Sequence, residues 1–238
     1  MSLAASPKQN SDALQIDVIS DVVCPWCYIG KRRLEKALAL KPEIPVEVRF
    51  RPYFLNPWVP REGMTRDEYL TTKFGSVDHY KGIAGRVSAA AAAEGLVYAV
   101  DKMKRQPNTL DAHRLILWAG QGDNGEDNSA RMKQRLMDLY FSEGGDLSDA
   151  NVLVRAAADC GLDPETVRKM LASDQDVERI EREANAAKEA GIDGVPTFIF
   201  GGLAAVSGAQ APEVLADAIE QVANNREELV AKRAAAMR

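Results

Sequence analysis

Leu14-Gln-Ile-Asp-Val-Ile-Ser-Asp-Val-Val-Cys-Pro-Trp-Cys-Tyr-Ile-Gly30 is the stretch on which the reading of this chain turns. Leu14, Ile16 and Val18 alternate with Gln15 and Asp17, the pattern of a strand. Cys24 and Cys27 follow, with Pro25 behind the first of them. A proline suits the first turn of a helix, where its missing N–H has no partner to lose. From Trp26 to Leu40 the residues Ile29, Leu34, Ala37 and Leu38 recur at helical spacing, and the run stops before Pro42. Val46, Val48 and Phe50 then mark a second strand over 46–51. Strand, helix, strand in so short a span predicts a parallel, right-handed βαβ unit. Cys24 falls where its first strand hands over to the helix.

That position gives the cysteine pair a chemical meaning. Unpaired amide N–H groups and the helix dipole both favour a negative charge at a helix start, so Cys24 should ionise below the free-cysteine value. Moving a thiol from a pKa of ~8.5 to ~6 takes roughly 3.4 kcal/mol. A helix terminus supplies about 0.3–1 kcal/mol and at most ~2. The remainder has to come from direct hydrogen bonds, for which the Cys27 amide and thiol are in reach and Pro25 offers none. As a structural staple the pair is poorly placed: so small a loop yields roughly 2 kcal/mol of chain entropy, against about 4.7 for a loop of about 100 residues.

The third cysteine, Cys160, precedes Gly161 at a predicted helix end and reads as a buried structural thiol. Zinc would need four ligands, and only Cys160, His79 and His113 are available to join the pair. No metal is therefore expected. His113, beside Arg114 in a predicted helix, reads first as a surface or satisfied core residue.

Further along, amphipathic helices are predicted over 86–95, 111–120, 129–141, 149–160, 164–172 and 176–190, with a polar, glycine-containing loop over 122–128. Tyr53, Phe54 and Trp58, set among Pro52 and Pro57, read as packing at a domain junction or as an apolar groove. Strands return at 196–200 and 203–207 around Gly201-Gly202, a hairpin signature, and a helix closes over 212–224. The order is βαβ, a helical block, then ββα.

Asp21-Val-Val-Cys-Pro-Trp-Cys-Tyr-Ile-Gly30 resembles the active-site segment of the DsbA family of thiol–disulfide oxidoreductases, in its FrnE-like branch. Arg49-Phe-Arg-Pro-Tyr-Phe-Leu-Asn-Pro57 and Asn108-Thr-Leu-Asp-Ala-His-Arg114 resemble further segments of that branch, and Gly194-Val-Pro-Thr197 is similar to the cis-proline segment of thioredoxin-like proteins. The likeness runs from about 14 to 222. It implies an α/β thioredoxin-like fold with a large all-helical insertion. It implies Cys24 as attacking nucleophile, Cys27 as resolving cysteine, substrate contact by Pro25, Trp26, Val195 and Pro196, and a role to test for His113. Two positions depart from the relatives. Val18 stands where thioredoxins keep a buried carboxylate, which leaves Asp21 as the candidate replacement. Trp26 stands where periplasmic DsbA has histidine, which implies a less acidic Cys24 and a less oxidising pair.

The expected organisation is a discontinuous thioredoxin-like domain over 14–62 and 174–224, a helical insertion over 63–173 and a polar tail over 225–238. The expected activity is disulfide exchange with protein or small-thiol substrates through a Cys24–Cys27 redox-active disulfide, with glutathione as a possible thiol partner and no bound cofactor. A glutathione-dependent isomerase or transferase, resembling 2-hydroxychromene-2-carboxylate isomerase or the kappa-class glutathione transferases, is the alternative. Both cysteines being present favours exchange. Thirty basic residues against thirty-five acidic ones give a net charge of −5, which argues against nucleic-acid and anionic-membrane partners. Residues 1–12 lack the basic start and apolar run of a secretory leader, and no segment approaches the ~20 apolar residues of a membrane span, so a cytoplasmic location is expected.

Overall fold

The computed structural model describes residues 13–121 and 125–236; the readings of 1–12 and of 122–124 lie outside them. In chain order the first elements are β1 (Leu14–Ser20), α1 (Pro25–Leu40), β2 (Val46–Pro52), β3 (Met64–Thr65), α2 (Arg66–Phe74), α3 (Val77–Ala93) and β4 (Arg105–Gln106). There follow α4 (Leu110–Ala119), α5 (Gly125–Asp138), α6 (Ala150–Asp159), α7 (Pro164–Leu171) and α8 (Val177–Glu189). The chain closes with β5 (Thr197–Phe200), β6 (Ala204–Ser207), α9 (Pro212–Asn224) and α10 (Arg226–Ala236).

β1 pairs in parallel with β2, Ile16 opposite Val48 and Val18 opposite Phe50, and antiparallel with β5, which pairs with β6. The strand order is β2-β1-β5-β6. Gly201 and Gly202, both at positive φ, make the β5–β6 turn at no steric cost. The alternation in β1 sorts its side chains. Leu14, Ile16 and Val18 pack with Phe198 and Phe200 of β5, Leu34 and Ala37 of α1, and Leu215, Ile219 and Val222 of α9. Ile19 packs with Tyr53 and with Ala187 of α8.

The first two turns of α1 belong to a different cluster. Cys24, Cys27, Tyr28 and Ile29 are buried with Leu115 of α4, Met132 and Leu136 of α5, and Leu153 of α6. Tyr28 stacks on Phe141 at 5.1 Å and donates a hydrogen bond to Asp138 Oδ1 at 2.5 Å. Arg114, wholly buried, donates to the carbonyl oxygens of Met170, Ser173 and Gln175 and so ties α4 to the end of α7.

The helical block departs from the sequence reading in its boundaries. α2 was not anticipated, although Thr65 and Glu68 form a capping box whose spacing is visible in the sequence. α3 begins at Val77 rather than near 86, capped by Ser76 Oγ on the His79 amide at 3.0 Å. Gly82 and Gly85 lie within it without breaking it. α5 begins at Gly125, so 125–128 is helix rather than loop, and a π-helical turn over Leu139–Glu143 extends it. The polar tail is helical over Arg226–Ala236.

Gly30 fixes how closely α1 approaches the segment before β5. A Cβ there would lie 2.8 Å from Pro196 Cγ and 3.3 Å from Phe198 Cζ. Alanine favours a helix over glycine by about 1 kcal/mol, but overpacking two buried rings costs about 1–3. Crowding should win, so Gly30→Ala should lower Tm by roughly 2–4 °C per kcal/mol of net loss. A melting scan in which the variant is more stable would show that the Pro196 segment yields freely.

Candidate active site around Cys24 and Cys27

Cys24 is the N-cap residue of α1, at φ −89° and ψ 113°, with Pro25 as the first helical residue. The amides of Cys27 and Tyr28 donate to the Cys24 carbonyl oxygen at 3.0 and 3.2 Å, closing the first turn. Both sulfurs are thiols and both residues are buried, 3% and 1% exposed, so ionisation rather than access separates them. The hydrogen bond from the Cys27 thiol is the main influence lowering the Cys24 pKa. Burial opposes it, the Cys27 and Trp26 amides reinforce it, and the negative charge of Asp21 works against it. Cys27 is held well above its ordinary value, first by burial, then by its bond to Cys24 and by the charge Cys24 carries.

The segment before β5 completes the site. The Cys24 thiol donates to the Val195 carbonyl oxygen at 3.5 Å, Val195–Pro196 is cis, and Pro196 is buried against Gly30. Pro25 is half-buried, and Trp26, 40% exposed, stands at the surface. The structure thus gathers Cys24, Cys27, Val195 and Pro196, with Trp26 on the rim.

His113 is not a lone histidine. It is buried on α4, with Nε2 3.3 Å from Oδ1 of Asp21, whose Oδ2 accepts the Leu55 amide at 2.9 Å. Burial alone would raise the Asp21 pKa, but the bonds to His113 and Leu55 and the charge of Lys133 hold the carboxyl below its usual range. Lys133, on α5, is a site residue that sequence reasoning missed. It is 1% exposed, its ammonium lies 5.3 Å from the Phe50 ring centre, and Nζ has no hydrogen-bond partner. Burial pushes it down to about 8, against the charges of Cys27 and Asp21.

Phe54 sets its ring edge-on to His113 at 5.9 Å and also lines a cavity of about 460 Å³ together with Asn56, Trp58, Asn108 and Asn185. Trp58 stacks on Tyr69 at 5.8 Å. Cys160 ends α6, buried, its thiol pushed up by burial, and its charged neighbours are Arg131, Asp159 and Arg135. Among the described residues no three His, Cys, Asp or Glu side chains gather as a metal site, and no helix is long and apolar enough to cross a membrane.

A family model for the DSBA-like thioredoxin domain matches residues 15–220. The chain belongs to that family. A probable DsbA oxidoreductase from Streptomyces coelicolor is 32% identical and superposes with a TM-score of 0.79, over 87% of this chain and 89% of its own. Two more distant structures share the fold. The cytosolic disulfide reductase DsbM from Pseudomonas aeruginosa, solved also with GSH, is 18% identical with a TM-score of 0.61 over 87% of this chain and 97% of its own. A 2-hydroxychromene-2-carboxylate isomerase is 17% identical with a TM-score of 0.65 over 90% and 98%. The architecture is accordingly α/β, a DsbA-like thioredoxin fold with a helical insertion between β2 and β5.

The unequal thiols predict unequal labelling. Alkylation tracks the thiolate, so the rate at Cys24 should rise with pH through a midpoint below the free-cysteine value of about 8.5, while Cys27 stays protected in the native protein. Peptide mapping across a pH series reads both. A single midpoint near 8.5, or preferential labelling of Cys27, would contradict the assignment.

Proposed function

We propose that this DsbA-like protein is a thiol–disulfide oxidoreductase working through a Cys24–Cys27 redox pair. The observation that carries the reading is the placement of the two sulfurs: Cys24 caps α1 with its thiol 3.5 Å from the Val195 carbonyl oxygen, and Cys27 is buried one turn in. That placement goes with a Cys24 pKa lowered by the Cys27 thiol and a Cys27 pKa raised by burial. Such a pair suits exchange in two steps. The Cys24 thiolate attacks one sulfur of a client disulfide and releases the other as a thiolate, leaving a mixed disulfide; Cys27 then attacks Cys24 and frees the client. Two electrons pass from the pair to the client, and the reverse sequence oxidises a client dithiol.

Trp26 and Pro25, exposed and half-exposed beside Cys24, and Val195 and Pro196 across from it are the proposed client contacts. The substrates are proteins or small thiols, glutathione among them, and the location is cytoplasmic. With the neutral indole of Trp26 inside the motif, the pair is less oxidising than one with histidine there.

Removing Cys27 should stop the cycle halfway. Cys27→Ser purified without reductant should carry reductant-sensitive adducts on Cys24, with glutathione or cell proteins, and Cys24→Ser should carry almost none. Cys160→Ser should keep exchange activity. Mass spectrometry of the variants beside insulin reduction by the wild type decides it. No adduct on Cys27→Ser together with no insulin reduction would favour glutathione-dependent isomerisation, in which substrate is activated without a covalent bond to the protein.

A further inference from the structure

A buried ammonium with nothing to bond is costly, and a structural role does not account for it. Lys133 is such a group. Its stem enters the core from α5, its Nζ is unpartnered, and its charge lies over the Phe50 ring of β2. An apolar side chain of similar length would fill that space without the desolvation penalty. Lys133 is also not paired as buried cations usually are. Asp21, the buried carboxylate within its electrostatic reach, is already bonded to His113 and to the Leu55 amide.

The Phe50 ring under the Lys133 ammonium packs against the buried cluster that holds Cys24 and Cys27 together with Met132 and Leu136 of α5. The charges that act on Lys133 there are those of Cys27, Asp21, Lys31 and Cys24, with His113 of α4 bonded to Asp21. Lys31 carries its own charge into a pairing with Glu35 and a bond to Gln134 at 3.0 Å. Phe50 supplies the ring on the β2 side. Of these groups, Cys27 is the one that must change charge within the proposed cycle and has the least local help. It is the most buried of the three cysteines, and its pKa is raised by burial and by Cys24, with the charge of Lys133 pulling the other way.

We propose that Lys133 is the positioning charge for the resolving step, stabilising the Cys27 thiolate as it forms against the Cys24 mixed disulfide. The inference rests on the exchange reading above. In that step Cys27 gives up its proton and its sulfur bonds to Cys24 Sγ. The bond from Cys24 to the client sulfur breaks, and the client leaves as a thiolate that takes up the proton. Lys133 is unchanged by the step; it supplies charge, not a proton. The helical block thereby contributes directly to the chemistry of a motif carried by the βαβ unit.

The test follows both steps in one trace. Reduced full-length protein is mixed in a stopped-flow instrument with an aromatic disulfide whose thiolate is coloured. One equivalent is released when Cys24 attacks and a second when Cys27 resolves. Lys133→Met should slow the second release relative to the first by about tenfold at neutral pH and move its pH midpoint up by about one unit. Lys133→Arg, which keeps the charge, should recover most of the loss. Lys133→Gln gives the same comparison if an apolar side chain disturbs the packing. A purely structural lysine would leave the pH midpoint in place, and a Lys133→Met trace matching wild type in rate and midpoint overturns the proposal. A wild-type trace with no second release, or a second release that persists in Cys27→Ser, removes the exchange reading itself.

Discussion

The hydrogen bond from the Cys27 thiol to the Cys24 sulfur is the interaction on which the site depends. It exists because α1 starts at Cys24 with a proline that needs no amide partner, which places Cys27 at the end of the first turn. One bond acts on both sulfurs in opposite senses. It offers the negative charge on Cys24 a donor, and it makes loss of the Cys27 proton harder, because that proton is in use. The difference in acidity therefore needs no separate device for each cysteine. Burial disfavours charge on both sulfurs and widens the difference because it is the largest influence on Cys27 and only the second on Cys24.

The rest of the fold holds that turn in place from two sides. Farther along α1, Leu34 and Ala37 lie in the core of the sheet, and its first turns lie in the core of the helical block. A helix shared between two cores cannot shift toward one without opening a gap in the other, and interiors packed at crystal-like density resist both. Gly30 sits close to where the two regimes meet, and its missing side chain is what admits Pro196. The Val195 carbonyl is delivered to Cys24 by that contact.

What the sequence made legible was local. The β1 alternation, the Pro25 helix start, the cysteine spacing and the glycine hairpin each depend on neighbours within a few residues, and each can be read from them. The helical block was legible as helices but not in its ends. Gly82 and Gly85 look like breakers in isolation, yet α3 runs through them because Tyr80, Ala84 and Val87 are buried. The electrostatic half of the site was the least legible. Asp21 was identifiable as a carboxylate close to the motif, but His113 lies 92 residues away and only the fold joins them. Lys133 has no signal of its own, since a lysine on an amphipathic helix is ordinarily a solvated one. The clue available was its setting between Met132 and Leu136, Met137, a stripe in which a charge is out of place.

These distant groups decide what the local motif cannot. A pKa lowered in the reduced state is a stabilisation of that state, so any charge that favours a thiolate also makes the disulfide a stronger oxidant. Asp21 and Lys133 pull in opposite directions on the pair: the carboxylate raises the Cys24 pKa, and the ammonium lowers that of Cys27. His113 and the Leu55 amide keep Asp21 ionised in a place where burial alone would neutralise it, so its opposition to the Cys24 thiolate persists. With no charge inside the motif at Trp26, the buried charges that act on the pair, Asp21 and Lys133 among them, come from outside it. They are set by α4 and α5 of the helical block and by the turn that carries Asp21, not by the residues between the cysteines.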